Sequence, residues 1–211
     1  MSTLVSHPII RAPNPKLAIG QFGGHVKMGV ETPRGQRTKN RMALVSALPL
    51  APGSDKMVLS FLDRSDPRET FDAHPGKGDN AVIVVPAAQV HVSIINGVNP
   101  GDCKGVKVML GPEIREPVDL DVDQTGLDVD ASDAWVDLVD ELGVDCSKYD
   151  GYPLWANAPL DIDRLTGRSM RFHHRITGDL VDFGIGDGAV IYVFVDEDGS
   201  GGAICWQQAR Y

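Results

Sequence analysis

The chain has 211 residues, 20 Lys and Arg against 29 Asp and Glu, a formal net charge of −9, and 42% hydrophobic and 6% aromatic residues. That length makes one large domain or two small ones, with enough apolar content for a core. The composition excludes a collagen-like chain, a coiled coil and a disulfide scaffold, and the acidic balance argues against sequence-wide nucleic-acid binding.

The acid is concentrated in one place. Residues 119–141 hold eight Asp, one Glu and no Lys or Arg, so this window alone contributes −9 and the rest of the chain sums to zero. Residues 1–50 are basic, with Arg11, Lys16, Lys27, Arg34, Arg37, Lys39 and Arg41 against Glu31 only, a local +6.

Residues 1–10 lack a basic stretch followed by an apolar core, which argues against a secretory signal. No window approaches the roughly 18 apolar residues of a membrane helix. The expected compartment is the cytoplasm, with no membrane partner. The basic stretch from Pro33 to Arg41 contains no aromatic residue and so lacks a stacking platform for single strands. It reads as a solvated loop, and no specific nucleic-acid contact is expected.

Glycine (23) and proline (14) then break the chain into short runs. Runs at 42–48, 57–62, 81–85, 89–95 and 106–110 are rich in β-branched residues, bounded by turn formers, and predict strands. In the fourth, Val90, Val92 and Ile94 alternate with His91 and Ser93, which predicts one buried and one wet face. The segment from Asp119 to Asp130 places carboxylates at positions 1, 3, 5, 10 and 12 of a calcium-type loop, but Gln124 occupies the position where the turn needs glycine. The one predicted helix follows. Ser132 caps it, and Trp135, Leu138, Val139 and Leu142 form an apolar stripe ended by Gly143. Its other face shows Asp133, Asp137, Asp140 and Glu141 to water or to a partner.

Strands resume at 171–176, 189–195 and 202–207, the last two joined by the hairpin-suited loop from Asp196 to Gly201. That loop is a second calcium candidate, with Gln207 where the last ligand should be. Cys103, Cys146 and Cys205 are widely spaced and read as reduced thiols, Cys205 as a small apolar strand residue. His173 and His174 are the only adjacent pair among the Cys and His residues. As strand neighbours they are expected on opposite faces, unable to share an ion. Sets such as His173, His174 and Asp179, or His25 and His91, read as ordinary strand and loop histidines.

The chain also echoes itself. Residues 22–25 match 149–152 at an offset of 127, residues 41–44 match 169–172 at 128, residues 58–63 match 191–196 at 133, and residues 81–84 match 203–206 at 122. Each half reads as an aromatic-x-glycine turn, two strands, an acidic loop and a strand. The expected organisation is a single domain over 1–211, with pseudo-repeats at about 17–95 and 147–211 joined by an acidic connecting segment, 112–146. The expected class is mainly β, on the border of α+β, with roll-like antiparallel sheets from two duplicated halves and one short acidic amphipathic helix.

Tyr149-Asp-Gly-Tyr-Pro-Leu-Trp155, Met170-Arg-Phe172, Phe183-Gly-Ile-Gly-Asp-Gly188, Tyr192-Val-Phe194 and Ala203-Ile-Cys-Trp-Gln207 resemble the C-terminal signature of the YwqG-like family, over about residues 147–208. The resemblance implies a mainly β, roll-like fold without an agreed enzymatic activity. Because relatives often occur beside bacterial toxin genes, it also implies an immunity role. Many relatives carry a paired-cysteine knuckle where this chain has Asp161 to Gly167, so no zinc is expected. Physically, Gly151, Tyr152, Trp155, Gly186, Asp187, Gly188 and Trp206 read as structural. Glycines and Asp187 form a tight turn, and the tryptophans serve as core groups.

No hydrolase, zincin or P-loop motif is present, and no cofactor or catalytic residue is assigned. The expectation is a non-enzymatic protein of the toxin-neutralising immunity type. Its partner would be a basic toxin docked through Asp128, Asp130, Asp133, Asp137, Asp140 and Glu141. The alternatives are an assembly subunit of a homo-oligomer or particle, and a calcium- or small-ligand-binding module.

Overall fold

The computed structural model describes residues 4–64, 78–94, 104–116, 146–156, 159–178, 180–181 and 188–208. The predicted helix at 132–143, the Asp119 to Asp130 loop, Cys103, Gly186, Asp187 and the six acidic docking candidates lie outside the described residues.

The fold is mainly β. Its strands are β1 (Leu4–Arg11), β2 (Gly20–Phe22), β3 (His25–Met28), β4 (Ala43–Pro49), β5 (Lys56–Leu62), β6 (Asn80–Pro86), β7 (Val90–Ser93), β8 (Val106–Leu110), β9 (Ile114–Glu116), β10 (Lys148–Tyr149), β11 (Met170–Ile176), β12 (Ala189–Asp196) and β13 (Gly201–Gln208). All eight predicted strands form within two residues of their expected ends. The unpredicted β1 is interrupted by Pro8, and β2, β9 and β10 are only two or three residues long, too short to show a period. One α-helix, α1 (Ile162–Thr166), is present among the described residues; the Asp161 carboxylate caps it and Gly167 ends it in the left-handed region. No described helix is long and apolar enough to cross a membrane.

Every pairing among the described residues is antiparallel, and the main sheet closes on itself. Neighbours run β10-β11-β12-β13-β6-β5-β4-β2-β8-β1, and β1 pairs back to β10, so ten strands form a barrel. The strand β9 flanks the start of β1, while β3 and β7 form a separate two-stranded ribbon.

The registers of the two halves coincide. Phe22 pairs with Ser46 and Tyr149 with His174. Ser46 pairs with Ser60 and His174 with Val193. Val58 pairs with Val84 and Ile191 with Trp206. These pairs interchange under the offsets 127, 128, 133 and 122. Even the irregularities correspond: β4 bulges between Leu44 and Ser46, and β11 between Phe172 and His174. The barrel thus has an approximate internal two-fold axis, relating β8-β2-β4-β5-β6 to β1-β10-β11-β12-β13. The leading strands are exchanged: β1 precedes the first half yet completes the sheet of the second, while β8 lies beside β2 of the first.

The inner face is filled by side chains, among them Ile9, Phe22, Leu48, Val58, Val108, Tyr149, Ile176, Ile191 and Ile204. Outside, two equivalent layers cover the wall. The ribbon lays Val26, Met28, Val90 and Val92 over Met42, Leu44, Ala47, Leu59 and Phe61. The segment around Trp155, with α1, lies over Phe172, Tyr192 and Phe194. The expected alternation of β7 holds only for its valines: Ile94 lies past the strand end and is 47% exposed, and β7 covers the wall with Val90 and Val92.

At the seam between halves, Gly202 pairs with Val82. A methyl group there would strike the Phe194 carbonyl and sit 2.8 Å from Val82 Cγ1. Gly202→Ala is expected to destabilise the protein by about 1–3 kcal/mol through overpacking, read as a lower denaturant midpoint at unchanged slope.

Candidate functional site

Two clusters of buried polar side chains bear chemistry, one inside the barrel and one on its outer wall. Inside, the β11 bulge turns consecutive residues to the same face. The expectation that His173 and His174 point apart is therefore corrected: both rings are fully buried, with Nδ1 atoms 2.6 Å apart. His174 Nε2 lies 2.8 Å from Ser46 Oγ, which lies 2.5 Å from Ser60 Oγ. His173 Nε2 is 2.9 Å from the Pro49 carbonyl, which also accepts from the Tyr149 hydroxyl at 3.1 Å. Tyr149 meets the His173 ring edge-on, and Phe22 stacks on His174.

One carbonyl orders the whole chain of bonds. Pro49 O only accepts, so His173 Nε2 carries the hydrogen and, the ring being neutral, its Nδ1 accepts from His174 Nδ1–H. His174 Nε2 then accepts from Ser46, and Ser46 accepts from Ser60. Neutrality follows from burial, which pushes His173 down to about 3 and holds His174 well below its usual 6.5. Ser60 at the far end is fully buried and Pro49 is buried, so both ends of the relay are enclosed. The chain of bonds orders the barrel interior. Of the other sets, Asp179 lies outside the described residues, while His25 pairs with Ser93 and His91 with Lys27, which makes the two histidines diagonal neighbours on the face of the ribbon away from the wall.

On the outer wall, Glu116 at the end of β9 and Lys148 on β10 form an ion pair with both side chains fully buried. Lys148 Nζ also donates to the Tyr152 carbonyl at 2.7 Å, and the Tyr152 amide donates to Glu116 Oε2 at 2.6 Å. Gly151, at φ +75°, passes so close to this carboxylate that any side chain would collide with it. Desolvation pulls Lys148 below its usual value, opposed by Glu116. Gln21, the counterpart of Lys148 at offset 127, does a similar task in the first half, where its Nε2 donates to the carbonyls of Gly23 and Ser93 and ties down the ribbon.

The remaining motif residues are placed as structure. Trp155 packs on Tyr192 and Phe194, and the Tyr192 hydroxyl accepts from the Ala156 amide and donates to the Leu154 carbonyl. Gly188 sits at φ +70° just before β12, and Trp206 packs half-buried against the interior core. Cys205 is buried, and desolvation pushes its thiol up to about 12.

In the 196–201 loop, the second calcium candidate, Asp196 Oδ2 accepts from Arg168 Nη1 at 2.8 Å and from Ser200 Oγ, so a guanidinium already serves that oxygen. No group of three His, Cys, Asp or Glu suited to a metal occurs among the described residues. Asp63, its counterpart at offset 133, is buried and accepts from Thr38, anchoring the basic 33–41 loop.

Sequence reasoning missed Ser46, Ser60, Glu116 and Lys148. The offset of 128 aligns Ser46 with His174 and was the available signal for the first. Nothing local marked the ion pair. The chain matches no family model and no curated protein.

Unfolded histidines bind protons near pH 6.5, whereas these two stay neutral when folded, so stability is lost as pH falls from about 6.5 toward 3. Between pH 7 and pH 5 the expected loss is about 2 kcal/mol per histidine, measured by denaturant titration, with the histidine-dependent part halved in His174→Gln. Lys148→Met should cost about 3–5 kcal/mol by stranding the Glu116 charge, and adding Glu116→Gln should restore most of it.

Proposed function

We propose that this protein is a non-enzymatic, cytoplasmic binding module of the toxin-neutralising immunity type. The observation that carries this reading is enclosure: among the described residues the reactive side chains His173, His174, Lys148, Glu116 and Cys205 are all at most 1% exposed. A filled barrel of this kind presents its outside surface to a partner. The charge distribution supports where the partner docks, because the entire net −9 is carried by residues 119–141. The partner is a basic protein, attracted to Asp128, Asp130, Asp133, Asp137, Asp140 and Glu141. Complementary charge acts mainly on encounter rate and register. The resemblance of residues 147–208 to the YwqG-like family supports the immunity role.

The test is affinity capture from the native host, followed by association kinetics on the captured protein. A basic protein should be retained, and replacing all six acids by Asn or Gln should slow its association by about tenfold and flatten the salt dependence. An unchanged on-rate, or no retained protein, contradicts the proposal.

A further inference from the structure

In the two-stranded ribbon β3 is an edge strand: among the described residues it pairs with β7 and with no other strand. The Gly29 amide donates to the Gln89 carbonyl at 3.2 Å, and the register sets Lys27 opposite His91 and His25 opposite Ser93. Bonded pairs alternate along an antiparallel ladder, so His25, Lys27 and Gly29 turn their backbone groups toward β7. Val26 and Met28 turn theirs the other way. Among the described residues no hydrogen bond reaches those outward amides and carbonyls. Val26 is only 6% exposed, so water serves its groups poorly, and an unpaired backbone group in such a place is costly.

The space along this edge is a cavity of about 230 Å³. Val26 and Lys27 point to opposite faces of the ribbon, yet both line it together with Gly24 and Met28, so the cavity follows the edge of the strand and neither of its faces. Thr32 and Arg41 also line it. Lys27 and Arg41 are exposed and, among the described residues, neither has an ion pair, whereas the lining carboxylate, Glu31, is bonded to Arg34 at 3.2 Å. The edge is therefore cationic. Its volume lies below the roughly 300–1,000 Å³ of drug-sized sites and suits a few residues of extended chain.

We infer that the free edge of β3 binds a short extended peptide with an acidic residue at its centre, added to the ribbon as an antiparallel strand. The residues on either side of the acid exchange backbone hydrogen bonds with Val26 and Met28, and the acid itself lies beside Lys27, facing the charge of Lys27 and Arg41. Main-chain bonds supply the affinity, and the cross-strand charge pair selects the partner. A second copy of the strand is disfavoured, because symmetric pairing through Val26 and Met28 would set Lys27 opposite its own equivalent.

Amide NMR titration of the full chain with the end-blocked peptide Val-Thr-Glu-Thr-Val tests each element. The Val26 and Met28 amides are expected to shift saturably and, with the peptide bound, to exchange with solvent about tenfold more slowly or less. The Gln counterpart of the peptide should bind about fivefold more weakly, as should the Glu peptide to the Lys27→Gln/Arg41→Gln protein, whose substitutions are at exposed side chains. Methylating the two threonine nitrogens removes the donors to the Val26 and Met28 carbonyls and should abolish binding. The inference is overturned if the two amides do not shift at millimolar peptide, if the Gln or N-methylated peptide binds as tightly, or if the double variant binds unchanged. Shifts of the same amides with protein concentration in the absence of peptide would assign the edge to a second copy and equally overturn it.

Discussion

The constraint on which the structure depends is the exchange of leading strands. Neither half can close its own sheet: β1 belongs in sequence to the first half and in space to the second, and β8 crosses the other way. The two strands then pair with each other, Ile9 to Leu110 and Arg11 to Val108, about a local centre at Ile10 and Met109. Closure removes the free edges of ten strands, the edges through which open sheets aggregate. It also means that the halves have little independent stability, because each lacks one wall until the other is in place.

Within that frame the two halves have diverged at equivalent positions. At the bulges, Val45 and Ser46 in one half correspond to His173 and His174 in the other, and the polar seam of the interior crosses the barrel where Ser46 meets His174. Such a seam stabilises only when every member is satisfied, and the Pro49 carbonyl supplies the fixed end from which all donors are ordered. On the outer wall the divergence runs the other way. Trp155 covers one half and the β3-β7 ribbon the other, and Gln21 and Lys148 pin the two coverings with an amide in one case and a buried ion pair in the other.

Most strands were legible in the sequence because their β-branched runs are long enough to show a period and are bounded by turn residues. The four matching offsets were legible for the same reason, since they rest on the strands of greatest burial. What was not legible shares one physical cause: it depends on partners far apart in the chain. The strand β1 is held by β8, β9 and β10, with contacts up to about residue 149. The histidines were assigned to opposite faces because the rule of alternation holds only in an unbulged strand, and no residue type marks a bulge at position 173. Glu116 and Lys148 lie 32 residues apart and owe their pairing to closure alone.

The most direct test of this account is native-state hydrogen exchange at one amide. Ile9 on β1 donates to the Ser147 carbonyl at 2.7 Å, a bond that exists only if the barrel is closed. If closure makes the halves one cooperative unit, the Ile9 amide exchanges with the same opening free energy as the central amides of β12, to within about 1 kcal/mol. An opening free energy several kcal/mol lower at Ile9, with β12 still protected, would contradict it: the second half would then stand without its borrowed strand.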